Sequence, residues 1–175
     1  MDKLVCEYVK GSLRRSDTRH AVERILRATL RLFEHNKNPS VDLISFESDV
    51  STSAVYRHFS TKQSIYEAAL QYALSRLRGR IIAFVSTEHV AQASIDRFAD
   101  KLFDDVVANR PAMQNVLSAL ETEAINRILL NHKALLTAKT IEYYDRMFGA
   151  EEFHVRRAKV EVLYSSLRNL LLELV

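Results

Sequence analysis

Ser53, Tyr56 and Arg57, in the segment "STSAVYRHFSTKQ", are spaced i, i+3 and i+4. On a helix that spacing puts two hydroxyls and a guanidinium on one face. Val55 and Phe59, four apart, fall on a different face. A short helix built this way packs its apolar side on a domain and offers donors to a partner on the other. Catalytic patterns are missing. Cys6 has no His placed beside it by a motif, and neither G-x-S-x-G nor a P-loop occurs. The six His lack H-x-x-x-H spacing, which argues against a metal site. Glu121 with Glu123, and Glu151 with Glu152, read as solvated charges at helix ends. No catalytic residue, metal or cofactor is expected.

The elements that must position the polar face can be read around it. Of 175 residues, 47% are apolar, and only three are Gly and two Pro. Tight turns are too scarce for an all-β fold, so the chain is predicted to be all-α. A single Cys excludes an intrachain disulfide framework and suits a reducing compartment. No apolar run has the length of a membrane span and the N-terminus lacks a signal-type core, so the expected location is the cytoplasm.

Val22, Ile25, Leu26, Thr29, Leu32 and Phe33 keep a helical period. Asn36, Asn38 and Pro39 are expected to stop that helix, with Asn as a left-handed cap. Ser40 then caps "VDLISFES", and Asp42 in its first turn complements the helix dipole. Ser51 caps "TSAVYRHF", and Ser60 with Gln63 has the spacing of a capping box for a fourth helix running past Gly79. Two short helices joined by a tight turn, flanked by longer ones, make a helix-turn-helix unit whose second helix enters a DNA major groove. Charge agrees: up to Lys62 there are 11 Lys and Arg against 8 Asp and Glu, and 14 of each beyond. A basic region on a neutral body suits a polyanion.

The sequence from Arg31 to Leu70 resembles the TetR family of bacterial transcriptional regulators, whose signature it follows at Leu32, Phe33, Val41, Ile44, Val50, Ser51, Tyr56, Phe59, Lys62 and Ile65. Ser45 and Ser48 stand where the family usually has Ala. Asp49 replaces the turn Gly, and Thr52 and Ser53 occupy the early recognition helix. Asp tolerates a left-handed backbone better than most residues, so the turn is expected to form. The resemblance implies residues 1–62 as a three-helix DNA-binding domain with a basic arm, and residues 63–175 as a helical bundle for effector binding and dimerisation. It further implies a homodimeric, ligand-responsive repressor on a palindromic double-stranded DNA operator. The alternative is a DNA- or protein-interaction module without an effector.

By the same resemblance Tyr56 and Lys62 contact DNA phosphates, as a rigid donor and a cation at a helix start. Ser53 and Arg57 are candidates for base edges, with a phosphate clamp an equal reading for Arg57. Ser40, Ser51, Thr52 and His58 complete the expected DNA-facing set, although His58 could equally pack at the helix end. Arg14, Arg15 and Arg19 read either as an arm along the DNA or as a solvated tail. Beyond Gly79, apolar stripes run through Ile95–Val106, through Met113–Leu120 and Ile128–Met147 as one continued pattern, and through "VEVLYSSLRNLLLELV". The family's C-terminal half suggests that Phe84, Phe98, Phe103, Met113 and Tyr143 line a pocket for a small apolar effector, with plain core as the other reading. Leu163, Leu167, Leu170, Leu171 and Leu174 exceed what one surface helix buries, which predicts a two-fold partner on that face.

Overall fold

The computed structural model describes residues 3–10, 16–85 and 107–148, together with Arg97, Asp100, Lys101 and Asp104. Every element among them is a helix: α1 (Lys3–Cys6), α2 (Ser16–Phe33), α3 (Val41–Ser48), α4 (Thr52–His58), α5 (Lys62–Val85), α6 (Arg110–Ser118) and α7 (Thr122–Phe148). The all-α expectation is met. The run from Met113 to Met147, read above as one pattern, is two helices, because α6 stops at Ser118 and α7 begins at Thr122. Periodicity carries across such a short break and so conceals it. Pro111 lies in the first turn of α6, where a missing N–H leaves nothing unsatisfied.

The chain divides into two compact units, Met1–Ser75 with Asn109–Ile128, and Arg76–Ala108 with Leu129–Val175. In the first, α2 packs against α3, α4 and α6, and α3 against α4. Its core takes Val22, Ile25, Leu26 and Phe33 from α2, Ile44 from α3, Val55 from α4, Phe59, and Ile65 and Tyr66 from α5. Phe33 meets Tyr66 edge-on, with ring centroids 4.8 Å apart, a favoured aromatic geometry. Burying these side chains supplies the main drive to fold, roughly 1.5–3 kcal/mol for each large one.

Polar contacts fix the same unit. The Asn115 side chain donates to the Phe33 carbonyl at 2.6 Å and so covers the end of α2. The Tyr72 hydroxyl lies 2.9 Å from Glu23 and 3.1 Å from Arg27, joining α5 to α2. The hydrogen bond from Tyr72, followed by Arg27, holds the Glu23 carboxyl below its ordinary range against the opposing effect of burial. The N-terminal segment belongs here too. Val5 and Val9 are buried, the Lys10 N–H donates to the His58 carbonyl at 2.7 Å, and Arg127 is held by Tyr8 and by Glu67 at 2.8 Å.

In the second unit Arg78 and His132 are buried and meet at 2.8 Å. A guanidinium can only donate, so Nδ1 of His132 is the acceptor and its proton sits on Nε2.

Candidate nucleic-acid interface

The local chemistry of the turn decides how α4 is held. Ser40 caps α3 by accepting the Leu43 N–H at 3.2 Å, and Ser51 caps α4 by accepting the Ala54 N–H at 3.3 Å, both as expected. Between them Asp49 adopts φ 51° and ψ 45°, the left-handed conformation. Its N–H donates to Phe46 O and the Val50 N–H to Ser45 O, each at 3.2 Å. Those two bonds define a Schellman ending, which Gly usually supplies. The serines at the alanine positions reinforce it. Ser45 Oγ donates to Val50 O at 2.6 Å, and the buried Ser48 hydroxyl donates to Ser45 O at 3.2 Å.

Two expectations are corrected. Asn36 and Asn38 do not form a left-handed cap, since Asp49 is the one non-Gly residue with positive φ among the described residues. Instead the Asn36 side chain accepts the Asn38 N–H at 2.9 Å, an Asx turn, while Leu32 O takes the N–H groups of His35 and Asn36. The reciprocal box that opens α5 joins Thr61 and Ser64 rather than Ser60 and Gln63. The Ser64 N–H donates to Thr61 Oγ1 at 3.1 Å and the Thr61 N–H to Ser64 Oγ at 3.2 Å. Both pairs have the right spacing, and packing decides: α5 must begin where Ile65, Tyr66 and Ala69 all turn inward.

α4 is anchored through Val55 and, just past its end, Phe59, both fully buried. Opposite them Ser53, Tyr56 and Arg57 are exposed, Tyr56 to 47% despite its aromatic ring. The face is thus a set of donors on a short rigid helix. Ser53 lies within 3.2 Å of Ser51, hydroxyl to hydroxyl. The Thr52 hydroxyl donates to Asp42 at 3.2 Å, so it ties α4 to α3. His58 is half-buried at the helix end, and burial, then the neighbouring Arg57, pull its pKa below the ordinary value.

Lys62, the first residue of α5, is held against the loop that leads into α3. Its Nζ donates to Asn38 Oδ1 at 2.6 Å and lies 5.6 Å from the centre of the Tyr66 ring. The Tyr66 hydroxyl donates to Pro39 O at 2.7 Å and reaches Asn38 Oδ1 at 3.1 Å, and burial pushes its pKa up to about 12. It stays protonated and pins the loop that carries Ser40. The sequence marks Asn38 only as a helix stop and does not single out Tyr66, although its place one turn after Lys62 was a usable signal. On the other side Arg24 pairs with Asp49 at 3.2 Å and Arg31 with Glu47 at 3.0 Å.

Residues 25–69, which hold this geometry, match the family model of bacterial regulatory proteins, tetR family. Residues 25–69 therefore form a tetR-type segment. The match indicates the helix-turn-helix of a DNA-binding transcriptional regulator, with α4 as the second helix of that unit. No curated protein matches the chain. Among the described residues no helix is long and apolar enough to cross a membrane, and no group of three or more His, Cys, Asp or Glu could hold a metal ion.

Other expected site residues have less to show. Met113 is half-buried in α6, in the first compact unit. Phe84 and Tyr143 lie on α5 and α7, and their side chains are outside the description. Arg19 is exposed in the first turn of α2. Arg14, Arg15, Phe98, Phe103, Leu163, Leu167, Leu170, Leu171 and Leu174 lie outside the described residues.

Proposed function

We propose that this chain is a ligand-responsive homodimeric repressor of the tetR family that binds a palindromic operator. The exposed Ser53, Tyr56 and Arg57 face of α4 carries the reading, because it offers donors from a helix locked by buried Val55 and Phe59. Tyr56, Lys62, Ser40 and Ser51 serve phosphate oxygens, while Ser53 and Arg57 reach base edges. Thr52 and His58 line the same helix and hold it in place. Residues 1–62 carry DNA contact, and residues 63–175 carry pairing and effector binding. Two recognition helices then sit about 34 Å apart in successive major grooves. A ligand that binds better to a splayed dimer shifts the population away from DNA.

Binding to palindromes selected from random duplexes, measured against salt, tests this reading. A steep fall with salt and loss of affinity when one half-site is scrambled are expected. Equal binding to palindromic and scrambled duplexes overturns it. Leu171→Glu places a charge on the proposed pairing helix, and sedimentation should then report a monomer.

A further inference from the structure

Gln71 on α5 is 1% exposed, and neither Nε2 nor Oε1 of its carboxamide has a hydrogen-bond partner. One turn on, the Ser75 hydroxyl is also buried without a partner. Residues four apart share a helix face, so three polar atoms with their bonding capacity unused lie together. The adjoining Leu70 and Leu74 are buried, and both are apolar. Other buried polar groups of the same unit are satisfied: Thr29 donates to Ile25 O, Ser48 to Ser45 O, and Tyr66 to Pro39 O. Unpaired buried amides are rare because burial strips their water without replacement. Packing alone would favour Leu or Met at position 71.

We propose that Gln71 and Ser75 form a ligand site inside the first compact unit. Its ligand is a small, uncharged, largely apolar molecule carrying a carbonyl beside an N–H, as in a lactam or a primary amide. A carboxamide presents one donor beside one acceptor. Its complement is a second cis amide edge, which closes two antiparallel N–H···O bonds. The rotatable Ser75 hydroxyl supplies a third contact, and neither residue offers a charge for an ionic ligand. The site shares its compact unit with α4. Its consequence for DNA release rests on the ligand-responsive reading above; ligand binding itself does not.

The test uses the full chain, labelled with nitrogen-15, with no DNA present. Titration with 2-pyrrolidinone should shift the Gln71 side-chain amide signals saturably, and N-methyl-2-pyrrolidinone, which lacks the donor, should bind about tenfold more weakly. Gln71→Leu should abolish the lactam-induced shifts of the neighbouring backbone amides and raise the melting temperature by about 2–4 °C, because it removes two unpaired atoms. Ser75→Ala, a milder change, should weaken the lactam response while leaving the fold intact. The absence of a saturable shift, or equal binding of both probes, overturns the proposal. So does a Gln71→Leu variant that melts lower, since a resident water would then be satisfying the amide. Operator affinity measured without the lactam reports on the DNA-binding reading separately.

Discussion

Lys62 donates to Asn38 across 24 positions of sequence, Nζ to Oδ1 at 2.6 Å, while the Tyr66 hydroxyl reaches the same oxygen at 3.1 Å. One amide oxygen thus holds the cation at the start of α5 against the loop that leads into α3. The ammonium is placed before any DNA arrives, which spares part of the entropy that a free lysine loses on binding.

Lys62→Ala should therefore weaken binding to every duplex and lower the slope of log affinity against log salt by about one. Asn38→Ala should weaken binding by a smaller factor and leave the slope unchanged, because the charge remains. Titrations at several salt concentrations separate the two. An unchanged slope for Lys62→Ala would remove Lys62 from the phosphate contacts.

Tyr56 and Arg57 neighbour each other on the exposed face but should differ in what they read. Tyr56→Phe should cost affinity evenly across operator variants, as a lost phosphate donor does. Arg57→Ala should relax preference at one base position by about 1–3 kcal/mol. Competition among single-base operator variants decides, and an even loss would make Arg57 a phosphate clamp.

Asp49 at φ 51° tests the turn. Asp49→Ala puts a Cβ without a compensating polar group into the left-handed region and should destabilise by about 1–2 kcal/mol. Asp49→Gly relieves that strain, and the exposed pair with Arg24 contributes little, so its stability should stay within about 0.5 kcal/mol of the parent. Urea unfolding of both variants gives the comparison.

His58 gives the domain an acid sensitivity of defined sign. Burial, with Arg57 adding to it, sets its folded pKa below the ordinary 6.5. Above about pH 6.5 both states are neutral and His58 imposes no penalty. Below it the unfolded chain takes up the proton first, so stability declines until the folded pKa is passed. Urea midpoints at pH 7.5 and 5.5 should diverge less in His58→Gln than in the parent. Equal divergence would assign the acid sensitivity to other groups.

Much of this was legible because local chemistry and tertiary packing agree. Ser40 and Ser51 cap the helices their spacing predicts, and the apolar positions of α2 and α4 face inward. Asp49 was readable as a left-handed residue because the turn demands one. The Thr61–Ser64 box was not, since Ser60–Gln63 satisfies the same spacing and only the inward turn of Ile65 and Tyr66 separates them. The Asn38, Lys62 and Tyr66 cluster joins residues far apart in sequence, which no local pattern encodes. Gln71 carried no motif at all; its unusual character is visible only once its surroundings exclude water.

The docked start of the chain bears on how this protein should be handled. Val5 and Val9 are buried, and the Lys10 N–H is bonded to the carbonyl of His58, the last residue of α4. A purification tag or fluorescent fusion joined to this segment would pull on a stretch bonded to the end of α4. Affinities measured with such a handle would mix the operator's grip with the handle's drag. Labels for DNA-binding work belong elsewhere on the chain, or should be cut away before the measurement.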